Sequence, residues 1–329
     1  MPIGRRRLVA GAFLASAGLP AVTPAAAQGQ AVRLVLPFPP GNQVDIVARR
    51  LADSLRQAWG APVIVENRPG AAGALALSHV ARAAPDGLTL LASSLSPLVV
   101  TPAVNRSLPY DPKRDFAPIA LLGFNDVVLV GGPRLPANSL ADLAAWMRTR
   151  AEPLPYASIG IGTLGHLAME LVGTRAGLRL QHVPYNGSAQ AYTDLFRGDV
   201  ALMADGMPQA MAQVRAGRLK ALAVFATRRS TFAPDLPTLG ESGLPGLDGI
   251  EVTGWSGLLA PAGTPPALVA RLSADVQDAM AEPAMQSYLH AQGLQSYPRH
   301  RPEDVTRFMA AELAKWRDVA RAAGVTVGP

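Results

Sequence analysis

The sequence predicts an α/β chain of two lobes, each a doubly wound sheet flanked by helices. Three observations predict it. Residues 32–92 alternate apolar strand runs with helical spacing in the order βαβαβ, which calls for parallel strands and crossover helices. A second strand–loop–helix series starts at Tyr156, and both series open with a strand, a glycine loop and a helix. The 329 residues suffice for about two compact units, each with its own core.

The elements follow in order. Arg5-Arg6-Arg7, an apolar run over 8–19 and Ala25-Ala26-Ala27 have the layout of an export signal, so residues 1–27 are set apart. The apolar run is too short for a permanent membrane helix, and cleavage near Ala27 is expected. Residues 32–38 read as a buried strand, 39–42 as a loop, and 45–59 as a helix through Ile46, Val47, Leu51 and Leu55. A strand over 63–65, a helix over 72–83 and a strand over 88–92 complete the first run. A long apolar strand, 119–130, is placed to leave the first lobe. The helix over 139–149 has Ser139 as N-cap and Asp142 as the acid of a capping box. Strands 156–159, 180–185, 200–204 and 219–226 alternate with helices 189–196 and 208–216. Residues 228–249 are rich in Pro and Gly and read as loop with one short helix. A strand over 251–259 and helices 266–280, 283–292 and 302–323 finish the chain. The expected division is a first lobe of 28–128 plus 227–329 and a second of 129–226.

Composition excludes several chemistries. The absence of cysteine removes disulfides, thiolate zinc sites, iron–sulfur clusters and a cysteine nucleophile. The five histidines show no metal-binding spacing, so no metal is expected. Aromatic residues are only 5%, which argues against a nucleic-acid face. The formal charge of +6 halves once Arg5, Arg6 and Arg7 are removed, so it points to no partner.

Glycine loops carry the remaining signals. Gly160-Ile161-Gly162-Thr163-Leu164-Gly165 is a literal G-x-G-x-x-G between strand and helix. The dinucleotide fingerprint also wants an acid at the end of the next strand, which instead ends Val183-Pro184-Tyr185-Asn186. A nucleotide-dependent enzyme is therefore a rival reading without its ribose acid, and no cofactor is expected. What survives is a helix N-terminus that glycines let a ligand approach, which favours an anion. Pro39-Pro40-Gly41-Asn42 builds a second such cradle before the first helix. Asp45 either contacts ligand or matches the first turn of its helix, and His166 either faces ligand or steadies its loop. Ser93, Ser94 and Ser158 end strands, and Asp205 ends another; no G-x-S-x-G elbow marks a hydrolase.

Several motifs in order resemble the Bug-type solute-binding proteins of tripartite tricarboxylate transporters. They are Leu36-Pro37-Phe38-Pro39-Pro40-Gly41 with Asp45, Glu66-Asn67-Arg68-Pro69-Gly70, Ala84-Pro85-Asp86-Gly87 and Leu108-Pro109-Tyr110-Asp111-Pro112. His182-Val183-Pro184-Tyr185 and Leu259-Ala260-Pro261-Ala262-Gly263-Thr264-Pro265 continue the series. The resemblance implies a two-lobed type II periplasmic binding fold that closes on a small carboxylate. It implies a monomer, no enzyme, with the membrane subunits of a transporter as partner; a membrane sensor is the alternative partner. It also implies that loops 38–45 and 158–166 hold the carboxylate, largely through backbone N–H groups. The candidate ligand-binding residues are Phe38, Pro39, Pro40, Gly41, Asn42, Gln43, Asp45, Ser94, Ser158, Gly160, Gly162, Thr163, His166, Tyr185 and Asp205. Asn42, Gln43 and Val44 depart from the small polar residues usual after Pro-Pro-Gly, and Ile159 and Ile161 are larger than is common in the second loop. These departures favour a partly apolar carboxylate over a citrate-like one.

Overall fold

The computed structural model describes residues 30–105 and 107–326. The export signal expected over 1–27 lies outside the described residues. Strand β1 (Val32–Leu36) leads into helix α1 (Gln43–Trp59), which returns to β2 (Val63–Asn67). A short 3₁₀ turn and α2 (Ala74–Ala81) then lead to β3 (Thr89–Ser94). β1 pairs in parallel with both β2 and β3, as the βαβαβ pattern requires. Helix α1 buries Val44, Val47, Ala48, Leu51 and Leu55, the spacing of one helical face.

Two local readings change. The helix expected over 72–83 starts two residues later, because Ala71 and Ala72 adopt positive φ of 48° and 52°. That left-handed backbone cannot continue a right-handed helix. The sequence reading also missed a helical segment. Ser96–Val100 forms a π turn that runs into α3 (Thr101–Val104), burying Pro97, Leu98, Val99 and Val100. The apolar run carries two prolines but no clean helical period, so it gave no signal.

Strand β4 (Phe116–Gly131) is the longest in the sheet and joins its two halves. Through Asp126 it pairs antiparallel with β9 (Thr253–Pro261), which in turn pairs with β3. From Val127 it pairs with β7 (Leu202–Gly206) and β8 (Lys220–Val224) instead. β5 (Leu154–Ser158) lies beside β7 and β6 (Leu180–Pro184), parallel to both. The second half is wound by α4 (Leu140–Met147), α5 (Leu164–Ala176), α6 (Ser188–Arg197) and α7 (Met207–Arg215). Ser139 caps α4 by accepting the Asp142 N–H, but the reciprocal bond of a capping box is not formed.

Within residues 227–250, the stretch Pro237 to Leu239 runs beside β8. Val224 donates to Pro237 O and accepts from the Leu239 N–H, and the chain rejoins the first sheet after Val252. Helices α8 (Pro266–Ala281), α9 (Pro283–Ala291) and α10 (Pro302–Ala322) then return to the first half. α8 packs on α1 and β4, while α10 covers α3 and β4 and reaches α5. Glu312 of α10 accepts from the indoles of both Trp255 and Trp316, which are fully buried. Among the described residues, no helix is long and apolar enough to cross a membrane.

Candidate functional site

A cleft with a cavity of about 650 Å³ opens between the two halves of the sheet. On one side stands the loop after β1. Gly41, at φ +83°, turns the chain, and its N–H donates to Asp45 Oδ2 at 2.9 Å. Asn42 caps α1 by accepting the Val44 N–H at 2.8 Å. The Gln43 N–H has no acceptor within the helix and none elsewhere among the described residues. Asp45 itself is buried and also accepts from Arg49 and Asn67, while Asn67 donates to Phe38 O. Burial alone would raise the Asp45 pKa, but the hydrogen bonds from Arg49, Gly41 and Asn67 hold it below its ordinary value.

On the facing side stands the loop after β5. Thr163 occupies the N-cap of α5, but its hydroxyl donates to Gly160 O at 2.8 Å and does not cap the helix. The Leu164 and Gly165 N–H groups therefore remain without partners among the described residues, and both residues line the cavity. Gly165 is required for the fit: a Cβ there would lie 2.6 Å from Ala204 O of β7. Two helix N-termini thus meet one cavity, and each carries a partial positive charge. Among the described residues, Asp205 is the sole ionisable side chain on the cavity wall. Its Oδ2 accepts from the Tyr192 hydroxyl at 2.6 Å and its Oδ1 from the Gly206 N–H at 2.8 Å. Burial pushes its pKa upward against those two bonds. Apolar groups fill much of the remaining wall, including Phe38, Pro97, Met203 and Trp255. Ile159 and Ile161 stand at the lip, 44% and 57% exposed.

The structure brings eight of the sequence-selected residues into the lining of one cavity: Phe38, Pro39, Asn42, Gln43, Ser94, Gly160, Thr163 and Asp205. Pro40 and Gly41 belong to the same turn but are exposed outside the cavity. Asp45, Ser158, Gly162, His166 and Tyr185 lie behind the wall. Tyr185 donates its hydroxyl to Asp194 and its N–H to Ser158 O. The Gly162 N–H is taken by His166 Nδ1 at 3.1 Å, so this N–H, like that of Gly41, is spent inside the protein.

Sequence reasoning missed Pro97 and Thr101, which the unforeseen helical segment delivers, and Asn125, Trp255 and Gln209. Asn125 and Asp126 are the two polar residues in the apolar run 119–130, which was a usable signal. Gln209 on α7 had none.

Residues 47–325 match the family described as the tripartite tricarboxylate transporter family receptor. The chain is 36% identical over 327 residues to protein BugT of Bordetella pertussis, covering 98% of this chain and 99% of that one. Among solved structures it resembles R. palustris Rpa4515 with adipate at 34% identity and a TM-score of 0.81, covering 90% of this chain and 97% of that one. MatC from Rhodopseudomonas palustris with bound malate is 33% identical, with a TM-score of 0.77 and coverage of 88% and 98%. The periplasmic binding protein BugD is likewise 33% identical, with a TM-score of 0.78 and coverage of 90% and 98%.

Proposed function

The chain belongs to the family of tripartite tricarboxylate transporter receptors, and we propose that it captures a small carboxylate in the cleft and delivers it to the membrane subunits of such a transporter. One observation carries this reading. The N-termini of α1 and α5 present unpaired N–H groups to a single cavity whose wall, among the described residues, bears no cationic side chain. Such a site holds a carboxylate by hydrogen bonds and helix partial charges, at little cost in side-chain entropy. The relatives that carry adipate and malate support the ligand class.

The wall favours a carboxylate with a partly apolar body. Phe38, Pro97 and Trp255 offer apolar contact, and Ile159 and Ile161 offer more where closure brings the lip over the ligand. The lobes we assign are residues 30–126 with 252–326, and residues 127–251. They would rotate about β4, where pairing switches after Asp126, and about the return crossing at 251–253, where the Val252 N–H donates to Phe225 O. Closure then follows from the ligand's greater affinity for the closed state. The export-signal layout of residues 1–27 supports a periplasmic mature chain, on the side from which a membrane transporter would take the ligand.

The test is thermal shift on the mature chain, residues 28–329, with hexanoate, benzoate, adipate, malate, citrate and NAD. At least one of the first four acids should raise the melting temperature, and more than citrate does. A shift with NAD and none with any acid would overturn the reading in favour of a nucleotide enzyme.

A further inference from the structure

Two imidazoles lie stacked beneath the loop that feeds α5. His166 is the third residue of that helix and is buried. Its ring centre lies 3.8 Å from that of His182, with the planes 13° apart. His182 comes from β6, the strand beside β5, and Tyr156 of β5 extends the stack at 5.1 Å from it. Neither histidine lines the cavity.

The stack grips the loop at two points. His166 Nδ1 accepts the Gly162 N–H at 3.1 Å. His182 Nε2 lies 2.7 Å from Ser158 Oγ, and that oxygen meets both the C=O and the N–H of Gly160. Gly160 and Gly162 have φ of +141° and +70°, a backbone with wide freedom of its own. Beside the Thr163–Gly160 bond within the loop, its side-chain anchors are His166 and, through Ser158, His182. Burial pushes the pKa of both imidazoles down to about 4, so both are neutral near pH 7. A neutral imidazole that accepts through Nδ1 carries its proton on Nε2, which here lies 3.9 Å from Glu170.

We infer that the His166–His182 stack is the positioning element of this loop, setting where the Leu164 and Gly165 N–H groups point in the cleft without touching the ligand. This rests on the reading of the cleft as a carboxylate site. Gly162 is buried, so the loss of the Nδ1 acceptor leaves its donor unpaired, and the loop must move to satisfy it.

The experiment compares His166→Asn with His166→Leu in the mature chain. Asparagine Oδ1 can stand in for Nδ1 as acceptor, whereas leucine cannot. Calorimetry with hexanoate and adipate should show the Asn variant within about threefold of the wild type and the Leu variant at least about tenfold weaker. Hydrogen exchange on the unaltered protein should show a protected Gly162 amide. Equal losses in the two variants, wild-type affinity in the Leu variant, or an unprotected Gly162 amide would each overturn the inference. If the Leu variant does not fold, the Asn variant and the Gly162 amide decide. If the unaltered protein binds neither acid, the carboxylate reading fails for both, while Gly162 protection still decides whether the stack fixes the loop.

Discussion

Replacing Gly165 by alanine probes how closely α5 must sit against β7. The added Cβ would meet Ala204 O at 2.6 Å, about 0.8 Å inside an ordinary contact. The obstacle is backbone of a central strand, so a side-chain rotation cannot relieve it. The helix must lift, or β7 must bend. Overpacking of this size costs about 1–3 kcal/mol. At roughly 2–4 °C per kcal/mol, the melting temperature should fall by about 2–12 °C. The same displacement moves the Leu164 and Gly165 N–H groups away from the cavity, so carboxylate affinity should fall by at least about tenfold, a further 1.4 kcal/mol. A scanning melt and a calorimetric titration read the two effects separately. A Gly165→Ala variant that melts and binds like the wild type would refute the seating of α5 and its role in the cleft.

Other outcomes follow from the same geometry. Ile161→Ser should leave stability within about 0.5 kcal/mol, since the side chain is already 57% exposed, yet weaken hexanoate more than malate by calorimetry. Asp45→Asn should cost about 1–3 kcal/mol in a urea melt, because the amide cannot accept from Gly41, Arg49 and Asn67 together. Stability should also fall on acidification. The His166 pKa drops from 6.5 to about 4 on folding, so between those values the unfolded chain takes up a proton that the folded chain refuses. His166 alone then removes about 3 kcal/mol as the pH falls from 7 to 4, and His182 acts in the same direction. Denaturant melts at pH 7, 5.5 and 4.5 should show the decline, and a His166→Asn variant should show less of it.

The parts of the fold that were legible in the sequence are those with a clean period. The βαβαβ run from β1 to β3, the amphipathic face of α1 and the Ser139 cap all follow from local spacing. The π turn at Ser96–Val100 was hidden because its irregular apolar run is buried by α10, a contact from the far end of the chain. The left-handed Ala71 and Ala72 were hidden because alanine favours a helix by propensity, and here tertiary packing overrides it. At the site, the two glycine loops were visible, but their wiring was not. Which N–H groups stay free depends on where Asp45 and His166 point, and these two side chains claim the Gly41 and Gly162 N–H groups. Among the donors left over are those of Gln43, Leu164 and Gly165; Gln43 was among the candidates, while the side chains of Leu164 and Gly165 gave no hint of the role.

In the proposed complex one carboxylate sits between the first turns of α1 and α5. Amide chemical shifts during a titration with the tightest-binding acid of the panel test this most directly. The amides of Gln43, Leu164 and Gly165 should move together along one saturating curve, with a single dissociation constant. Shifts confined to one of the two loops at saturation, or shifts that leave all three amides still while the acid binds, would contradict it.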